Sequence, residues 1–301
     1  MLVGQGPFGA EVLQQLIQKG EEVVGVFSTT GRQGDRVQEM ADKFGVPLWR
    51  VSSMKGPDVH LNYSRLAPDL GVMAFVTDIV PGRILTYPRL GTIQYHPSLL
   101  PKHRGGSAIN WAIIKGETRT GMTVFWPDEG IDTGPILLQK SVDISPDDTV
   151  GTLYFNKLYP IGIESLLEAV DLVRRGIAPR IPQDESQATY EKLCDESDTA
   201  IDWSQSTRDI YNLIRGCNPQ PGACTRMCVK PVKIFDSEPC AGTTKMGKPG
   251  QVLGVSGSGI NIATGDGAIL VKRVQPESMP KTEAAKYAES AGLKPGVVLG
   301  T

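Results

Sequence analysis

Cysteine and histidine are scarce in this chain. Its 301 residues include five cysteines and three histidines, and no Cys-X-X-Cys pair occurs. The cysteines all lie from residue 194 onward, after the last histidine: Cys194, Cys217, Cys224, Cys228 and Cys240. An odd number of cysteines without a paired spacing is typical of free thiols in a reducing compartment. A zinc site is the weaker alternative, and we expect no metal.

Long hydrophobic runs and a strong net charge are also missing. No apolar stretch approaches the roughly 20 residues that a helix needs to cross a bilayer. The first residues, MLVGQGPFGAEV, carry neither the basic start nor the apolar core of a signal peptide. The formal net charge is -2, which argues against a surface that binds nucleic acid throughout but leaves a local basic patch open. We therefore expect a cytoplasmic protein with no membrane partner.

Short apolar runs alternate with amphipathic stretches over the first part of the chain. Four runs predict buried strands, at residues 23–27, 47–51, 70–76 and 91–95. The apolar spacing at residues 8–19 and 36–44 predicts helices between them. This alternation predicts a Rossmann-like α/β fold, with a mostly parallel sheet and helices on both faces. Ligands of such sheets bind beyond the carboxyl ends of the strands, and His96 directly follows the fourth run.

The pattern changes after one long helix predicted over about residues 149–175. Residues 177–206 are polar and resemble a linker or a crossing segment. The remaining residues combine many Gly and Pro with short β-like runs, which predicts a small C-terminal antiparallel β-barrel-like domain. We therefore predict a catalytic domain at residues 1–183, a linker at 184–205 and a β domain at 206–301.

Two short motifs give the strongest functional signal. They are QYHPSLLP at residues 94–101 and DEGIDTG at residues 128–134. Each proline of the first motif fixes its own φ and disfavours helix for the preceding residue, so a stiff loop can hold His96. Glycines allow Asp132 to lie in a tight turn. A histidine and an aspartate held on loops predict proton-transfer chemistry, with ordinary loop and turn roles as the alternative.

The glycine-rich start permits a different hypothesis. Gly4-Gln5-Gly6-Pro7-Phe8-Gly9 matches G-x-G-x-x-G between a predicted strand and a predicted helix, as in dinucleotide sites. The second strand is not followed by the acidic residue that would bind a ribose hydroxyl, although Arg32 could face a 2′-phosphate. Pro7 removes one amide hydrogen from the turn. A tight strand-to-helix turn explains the same glycines without a ligand.

The segment HPSLLPKHRGGSAINWAI, followed by a strand and DEGIDTGPIL, resembles the folate-dependent formyltransferases. This family includes methionyl-tRNA formyltransferase, glycinamide ribonucleotide formyltransferase and the hydrolase domain of 10-formyltetrahydrofolate dehydrogenase. The segments PGACTRMCVKPVKIFD and GLKPGVVLG are similar to the C-terminal β domain that the tRNA enzyme and the dehydrogenase share. The resemblance covers nearly the whole chain and implies an enzyme whose formyl donor is 10-formyltetrahydrofolate.

The resemblance also implies site residues. His96 and Asp132 would be the catalytic pair, and Gln94 stands where the family commonly has an asparagine two residues before the histidine. The pterin ring would bind in a largely apolar slot formed by Met73, Ala74, Phe75, Val76, Glu129, Gly130 and Ile131. Asp128 and Glu129 fit solvated turn residues better than catalysts. His103 and Arg104 either contact an anionic acceptor or lie on the surface.

The formyl acceptor is open at the level of sequence. Transfer to an amine, with methionyl-tRNA as the leading candidate, would make tRNA a partner and would require a basic groove. Hydrolysis, with water as the acceptor, is the alternative, because residues 49–59, 147–163 and 178–183 look closer to the dehydrogenase's hydrolase domain. An NADP-binding oxidoreductase and binding without catalysis are the remote alternatives. The oligomeric state has no sequence signal.

Overall fold

The chain separates into two compact units in a computed structural model, which describes residues 1–29, 35–227, 230–240 and 247–300. The first unit comprises Met1–Gly105, Gly121–Val142 and Phe155–Tyr190, and the second comprises Gly106–Thr120, Asp143–Tyr154 and Glu191–Thr301. Compactness alone does not establish which segments fold independently. The division predicted at residues 183 and 206 therefore stays a prediction.

A seven-stranded sheet organises the first unit. The strands up to the middle of the chain are β1 (Leu2–Gly4), β2 (Val26–Ser28), β3 (Leu48–Arg50), β4 (Gly71–Ala74), β5 (Thr92–His96), β6 (Arg104–Gly105), β7 (Arg119–Phe125) and β8 (Ile136–Asp143). Their order in the sheet is β3-β2-β1-β4-β5-β7-β8, without β6. The first five strands of that order pair in parallel, and β7 runs antiparallel to β5. The predicted, mostly parallel sheet is confirmed.

Helices cover both faces of this sheet, as predicted. The α-helices along the chain are α1 (Gly6–Gln18), α2 (Arg36–Phe44), α3 (Pro57–Arg65), α4 (Gly82–Leu85), α5 (Ala108–Ile114), α6 (Val150–Leu153), α7 (Tyr159–Arg174), α8 (Thr207–Gly216) and α9 (Ala284–Ser290). Leu2 and Val26 share a core with α1, α2 and α7. Val3 and Phe27, the next residues along the same strands, belong to a core with α3 and α4. Successive side chains of a strand point to opposite faces, so the two cores lie on opposite sides of the sheet.

One local prediction is wrong, and one residue placed as a helix cap does not act as one. The helix predicted over residues 149–175 is interrupted, because a π-helical turn at Tyr154–Leu158 separates α6 from α7. Pro160 lies in the first turn of α7, where its missing N–H is tolerated, but it cannot continue a preceding helix. Ser107 does not cap α5, since its φ is 56° and its hydroxyl accepts from the amide of Cys194 at 3.0 Å instead.

An antiparallel sheet organises the second unit. The later strands are β9 (Tyr190–Glu191), which pairs with β6, and β10 (Ala223–Met227), β11 (Lys230–Pro239), β12 (Val252–Ser256), β13 (Gly259–Ala263), β14 (Ala268–Pro276) and β15 (Thr282–Glu283). The sheet order is β10-β11-β14-β13-β12, with β15 beside β14, and all its pairs are antiparallel. Ile210 and Ile214 of α8 share its core with Ile234 and Ile260. The predicted antiparallel C-terminal β region is confirmed.

Candidate active site

His96 is the last residue of β5, not the first residue after it. Ile93 and Tyr95 pack in the core with α1 and α7, so Gln94 and His96 project from the opposite face of the sheet. His96 is buried, and its Nε2 lies 2.8 Å from the carbonyl oxygen of His103. A carbonyl oxygen can only accept a hydrogen bond, so Nε2 carries the hydrogen. Nδ1 is therefore the ring nitrogen left for chemistry.

The corner after His96 is held by side chains of β7 and β8. Thr123 donates a hydrogen bond to the carbonyl of Ser98 at 2.7 Å and accepts one from the amide of Leu100 at 3.1 Å. Gln139 donates to the carbonyl of Leu100 at 2.7 Å and to Thr123 at 2.9 Å. These bonds satisfy backbone groups of the corner. The stiffness expected from the two prolines is thus reinforced by contacts from residues distant in sequence.

Asp132 lies on the loop between β7 and β8 and reaches His96. Its Oδ2 is 3.5 Å from His96 Nδ1 and accepts a hydrogen bond from the amide of Gly105 at 2.8 Å. Within the described part of the chain, Oδ1 accepts no hydrogen bond. Both side chains are buried. The structure therefore brings the two motifs together, with one carboxylate oxygen fixed and the other open to a reacting group.

Three non-glycine residues around this pair have a left-handed backbone. Their φ angles are 59° for Phe75, 54° for His103 and 56° for Asp132. Residues with a side chain rarely adopt this conformation, and when it occurs repeatedly it is typical of functional sites. The Asp132 turn is closed by Asp128, whose Oδ1 accepts from the amide of Gly130 at 3.0 Å and the hydroxyl of Thr133 at 2.5 Å. Asp128 is thus a turn residue, as predicted.

Gln94 lies beside His96 with its amide available. Its neighbour in register on β4 is Met73, and its neighbour on β7 is Phe125. The described residues supply no hydrogen bond to the Gln94 side chain. Gln94 and His96 are two positions apart on one strand and so share a face. The Gln94 amide can therefore donate to a group bound next to the imidazole.

The residues predicted to form the pterin slot occupy two loops near this pair. Met73 and Ala74 end β4, and Phe75 and Val76 begin the loop that follows it. Glu129, Gly130 and Ile131 immediately precede Asp132. The start of α4, which follows the first loop, lies near the second, because a Cβ on Gly82 would lie 3.6 Å from Glu129 Oε1. Phe75 and Ile131 are 42% and 53% exposed, so each loop presents a large apolar side chain to solvent.

Arg104 is not the surface residue that the sequence allowed as one of its two roles. It is 1% exposed, and its guanidinium donates to Gln183 and Glu185, so it is not a surface residue and its described contacts are within the protein. His103 is buried as well. Gln183, which the sequence did not single out as a site residue, donates hydrogen bonds to the Asp132 loop. No local pattern could have identified it, because the contact joins residues about 50 positions apart.

The glycines at the start of the chain have a packing explanation. A Cβ on Gly9 would lie 3.0 Å from the carbonyl carbon of Gly4, and a Cβ on Gly4 would lie 3.2 Å from the carbonyl oxygen of Ala74. The side chain of Gln5 donates to Thr77 at 3.0 Å. Close strand–helix packing therefore accounts for Gly4 and Gly9 without a nucleotide. Arg32, the residue proposed for a 2′-phosphate, lies outside the described residues.

No group of three or more His, Cys, Asp or Glu side chains that could hold a metal ion is found in the described ranges. No described helix combines the length and apolarity that a bilayer crossing requires.

Two family models match the chain. The formyl transferase model matches residues 1–170, and the formyl transferase C-terminal domain model matches residues 194–292. The chain belongs to the formyl transferase family. The predicted family and the predicted enzyme class, which covers formyl transfer and formyl hydrolysis, are confirmed at this level.

Curated relatives fall into two groups. The chain is 40% identical over 313 residues to cytosolic 10-formyltetrahydrofolate dehydrogenase of Mus musculus, an alignment that covers 97% of this chain and 34% of the relative. It is 33% identical over 308 residues to methionyl-tRNA formyltransferase of Geobacter metallireducens, which covers 100% of this chain and 98% of the relative. The chain spans about a third of the length of the dehydrogenases that it matches.

Solved structures share the fold. HypX from Aquifex aeolicus in complex with tetrahydrofolic acid aligns with a TM-score of 0.71 and 22% identity, over 96% of this chain and 47% of that one. An N-formyltransferase from Helicobacter canadensis in complex with folinic acid and dTDP-3-aminofucose aligns with a TM-score of 0.65 and 17% identity, over 91% and 98% of the two chains. At these identities the likeness shows the fold alone.

Proposed function

We propose that this chain activates the formyl group of 10-formyltetrahydrofolate at the site around His96 and Asp132 and passes it to water. The observation that carries the proposal is the buried contact of 3.5 Å between His96 Nδ1 and Asp132 Oδ2, next to the available amide of Gln94. Membership of the formyl transferase family supports formyl chemistry. The folate donor is supported by the names of the dehydrogenase relatives and by the folate-bound neighbours.

Asp132 is proposed as the general base. Its Oδ2 is fixed by the amide of Gly105 and faces His96, so Oδ1 is the oxygen that can take a proton from an attacking water. As the water oxygen bonds to the formyl carbon, negative charge grows on the formyl oxygen. The Gln94 amide can stabilise that charge by donating to the formyl oxygen, and His96 Nδ1 can do so only when the ring is doubly protonated, since the Nε2–H already donates to the carbonyl of His103.

Collapse of the tetrahedral species then needs one proton at N10. The carbon–N10 bond breaks, N10 takes up the proton that Asp132 had accepted, and the products are tetrahydrofolate and formic acid, which releases a proton to solvent and becomes formate. His96 stays oriented throughout, because its Nε2–H donates to the carbonyl of His103. The ring therefore keeps Nδ1 aimed at Asp132 while charge develops, in the way that an orienting partner fixes a catalytic imidazole.

The two loops at 73–76 and 129–131 fit a flat, mostly apolar ring. Met73 is in register with Gln94, residues 129–131 directly precede Asp132, and the two loops expose Phe75 and Ile131. Small-molecule sites are commonly lined by apolar and aromatic groups with a few placed polar ones. We propose that these loops bind the pterin ring and so bring the formyl group to Gln94 and His96.

Water is favoured as the acceptor because the chain is more similar to the dehydrogenases than to the tRNA enzyme. The net charge of -2 is in keeping with an acceptor that is not a polyanion. Transfer to methionyl-tRNA is the second candidate. It is favoured by an alignment that covers nearly the full length of the tRNA enzyme and all of this chain.

One experiment separates these acceptors. The purified protein is incubated with 10-formyltetrahydrofolate, with and without methionyl-tRNA, and tetrahydrofolate, formate and formylmethionyl-tRNA are each quantified. Hydrolysis predicts equal amounts of tetrahydrofolate and formate without added acceptor. Transfer predicts that tetrahydrofolate appears only with methionyl-tRNA and in equal amount to its formylated form. No consumption of the folate in either arm would reject both candidates.

A further inference from the structure

We infer that Gln183 and Arg104 are positioning residues that aim the Asp132 carboxylate at His96. The inference rests on the proposed function, because it assigns a task to contacts around the proposed catalytic pair. Neither residue touches the imidazole. Gln183 bonds to the backbone of the loop that carries Asp132, and Arg104 acts through Gln183.

Gln183 bonds to this loop through both of its amide hydrogens. Its Nε2 donates to the carbonyl of Asp132 at 2.8 Å and to the carbonyl of Gly134 at 2.7 Å. These two carbonyls flank Thr133 and define the course of the chain directly after the left-handed Asp132. A non-glycine residue keeps this left-handed backbone conformation only where surrounding contacts hold it. Gln183 supplies two of the bonds that hold it.

Arg104 fixes the other end of the Gln183 side chain. Its Nε and Nη2 donate to Gln183 Oε1 at 3.1 and 2.8 Å. Because the amide oxygen is held by two donors, the NH2 group can point only toward the loop. A planar guanidinium supplies this fork, which a lysine ammonium does not reproduce.

Glu185 neutralises the buried guanidinium. Its two oxygens accept from Arg104 Nη1 at 2.9 Å and Nη2 at 2.6 Å, and these bonds raise the pKa of Arg104 further above its usual value. Glu185 itself is 68% exposed. The carboxylate of this ion pair is therefore in contact with water while the guanidinium is buried. Arg104 is thereby kept in place by its charge partner, while its remaining donors are directed to Gln183.

The residues on either side of Arg104 contact the catalytic pair directly. The carbonyl of His103 accepts from His96 Nε2, and the amide of Gly105 donates to Asp132 Oδ2. Residues 103–105 therefore orient the imidazole and the carboxylate directly. Through Arg104 and Gln183 they also hold the backbone of the loop that carries Asp132. The amide of Arg104 is itself tied to the carbonyl of Thr189 at 3.0 Å.

Gln183→Glu removes the hydrogen bonds to the Asp132 loop while keeping the hydrogen bonds from Arg104. A glutamate at this position still accepts from Arg104 but cannot donate to the carbonyls of Asp132 and Gly134. We expect kcat for formyl release to fall about 10- to 100-fold, since small misplacements of a reacting group cost up to about 10²-fold in rate. The KM for the donor should change less than about threefold, because the slot loops at 73–76 and 129–131 are left in place. Gln183→Met, which removes both donors without adding charge, serves if the glutamate variant does not fold.

The matched control is Glu196→Gln. Glu196 is an exposed glutamate that pairs with Lys233 in the second unit, so this substitution also exchanges a glutamate and a glutamine but lies outside the proposed site. We expect its kcat and KM to equal those of the wild type. A purely structural role for Gln183 would lower the thermal midpoint and the amount of active protein without lowering kcat per active site.

A double substitution decides whether Gln183 acts through Asp132. In an Asp132→Asn background, Gln183→Glu should change kcat less than about threefold, because residues that act as one unit are not additive. A full further loss in that background, or a wild-type kcat in Gln183→Glu while Asp132→Asn is inactive, would overturn the positioning role and leave the proposed function standing. A fully active Asp132→Asn would overturn both.

The histidine ring nitrogens give a readout independent of turnover. The chain has three histidines, at positions 60, 96 and 103, so their ring ¹⁵N signals can be assigned by single substitutions. Both Gln183→Glu and Asp132→Asn should move the Nδ1 signal of His96 and leave that of His60 unchanged. An unmoved His96 signal would overturn the inference even if the wild-type protein releases no formate.

Discussion

The substitution Asp132→Asn examines the proposed base with the smallest change in shape. It exchanges one carboxylate oxygen for NH2 and removes the charge. The remaining amide oxygen can keep the hydrogen bond from the amide of Gly105, which the carboxylate accepts at 2.8 Å. The backbone bonds from Gln183 to the loop do not involve the side chain and should persist. What is lost is the oxygen able to take up a proton.

The expected loss in rate follows from that single change. A positioned general base contributes about 10²- to 10⁴-fold in rate. At about 1.36 kcal/mol for each tenfold change, this is roughly 2.7–5.4 kcal/mol of transition-state stabilisation. The cost to folding should be near 1 kcal/mol, because one charge-assisted hydrogen bond becomes a neutral one. The catalytic effect should therefore exceed the effect on stability by a wide margin.

The assay follows formate and tetrahydrofolate at saturating 10-formyltetrahydrofolate for the wild type and Asp132→Asn, with circular dichroism and thermal midpoints for both. We expect a folded variant whose thermal midpoint is close to that of the wild type and whose kcat is reduced at least 100-fold. A folded variant within threefold of the wild-type kcat would refute the base assignment. An unfolded variant would instead show that the Asp132 carboxylate is needed for the loop itself.

Three further predictions concern single substitutions. Gln94→Ala should lower kcat about 10²-fold, the usual effect of removing one oxyanion donor, while Gln94→Asn keeps an amide and should retain more activity; equal kcat values for alanine and wild type would exclude the amide as a donor. Gly9→Ala places a Cβ 3.0 Å from the backbone of Gly4 and should lower the free energy of unfolding by about 1–3 kcal/mol in chemical denaturation; an unchanged midpoint would show that the packing explanation for this glycine is wrong. Burial raises the pKa of Asp35, but hydrogen bonds from Arg50 and Gln38 outweigh it and hold the pKa below its usual value of 3.8. The ionised Asp35 carboxylate therefore stabilises the folded protein above about pH 4, and this contribution is lost as the pH falls through the lower folded-state pKa. Asp35→Ala, which removes the side-chain cap of α2, should therefore cost about 1 kcal/mol at pH 7 and progressively less in denaturation curves below pH 4, and a cost that does not depend on pH would contradict the charged cap.

The parts of the site that could be predicted from sequence are those with a local signal. The corner containing His96 and the turn containing Asp132 are short motifs whose prolines and glycines restrict the backbone. The strand periodicity also placed the histidine at the carboxyl end of β5, within one residue of its position in the structure. For the same reason α2 has the bounds that its apolar spacing predicts, Arg36–Phe44.

Other features depend on contacts between distant residues and have no local signal. The bonds between Arg104 and Gln183 join residues 79 positions apart, and those between Gln183 and Asp132 join residues 51 positions apart. From sequence alone an arginine is expected to be a surface cation, since arginine is rarely buried unless it is paired. Ser107 resembles a helix cap in sequence for a similar reason. Its hydroxyl accepts a hydrogen bond from the amide of Cys194, which lies 87 residues further along the chain.

Residues 103–105 connect the two motifs of the site through backbone hydrogen bonds. The corner between His96 and Pro101 returns the chain so that the carbonyl of His103 lies 2.8 Å from the imidazole of His96. Two residues later, the amide of Gly105 lies 2.8 Å from the Asp132 carboxylate. A segment of three residues therefore contacts both members of the pair through its backbone, and it can do so only if the residue between them is fixed. Burial of the Arg104 guanidinium against Glu185 and Gln183 provides that fixation. The residues that follow the corner thus align the catalytic pair, and we expect substitutions there to alter turnover more than donor affinity.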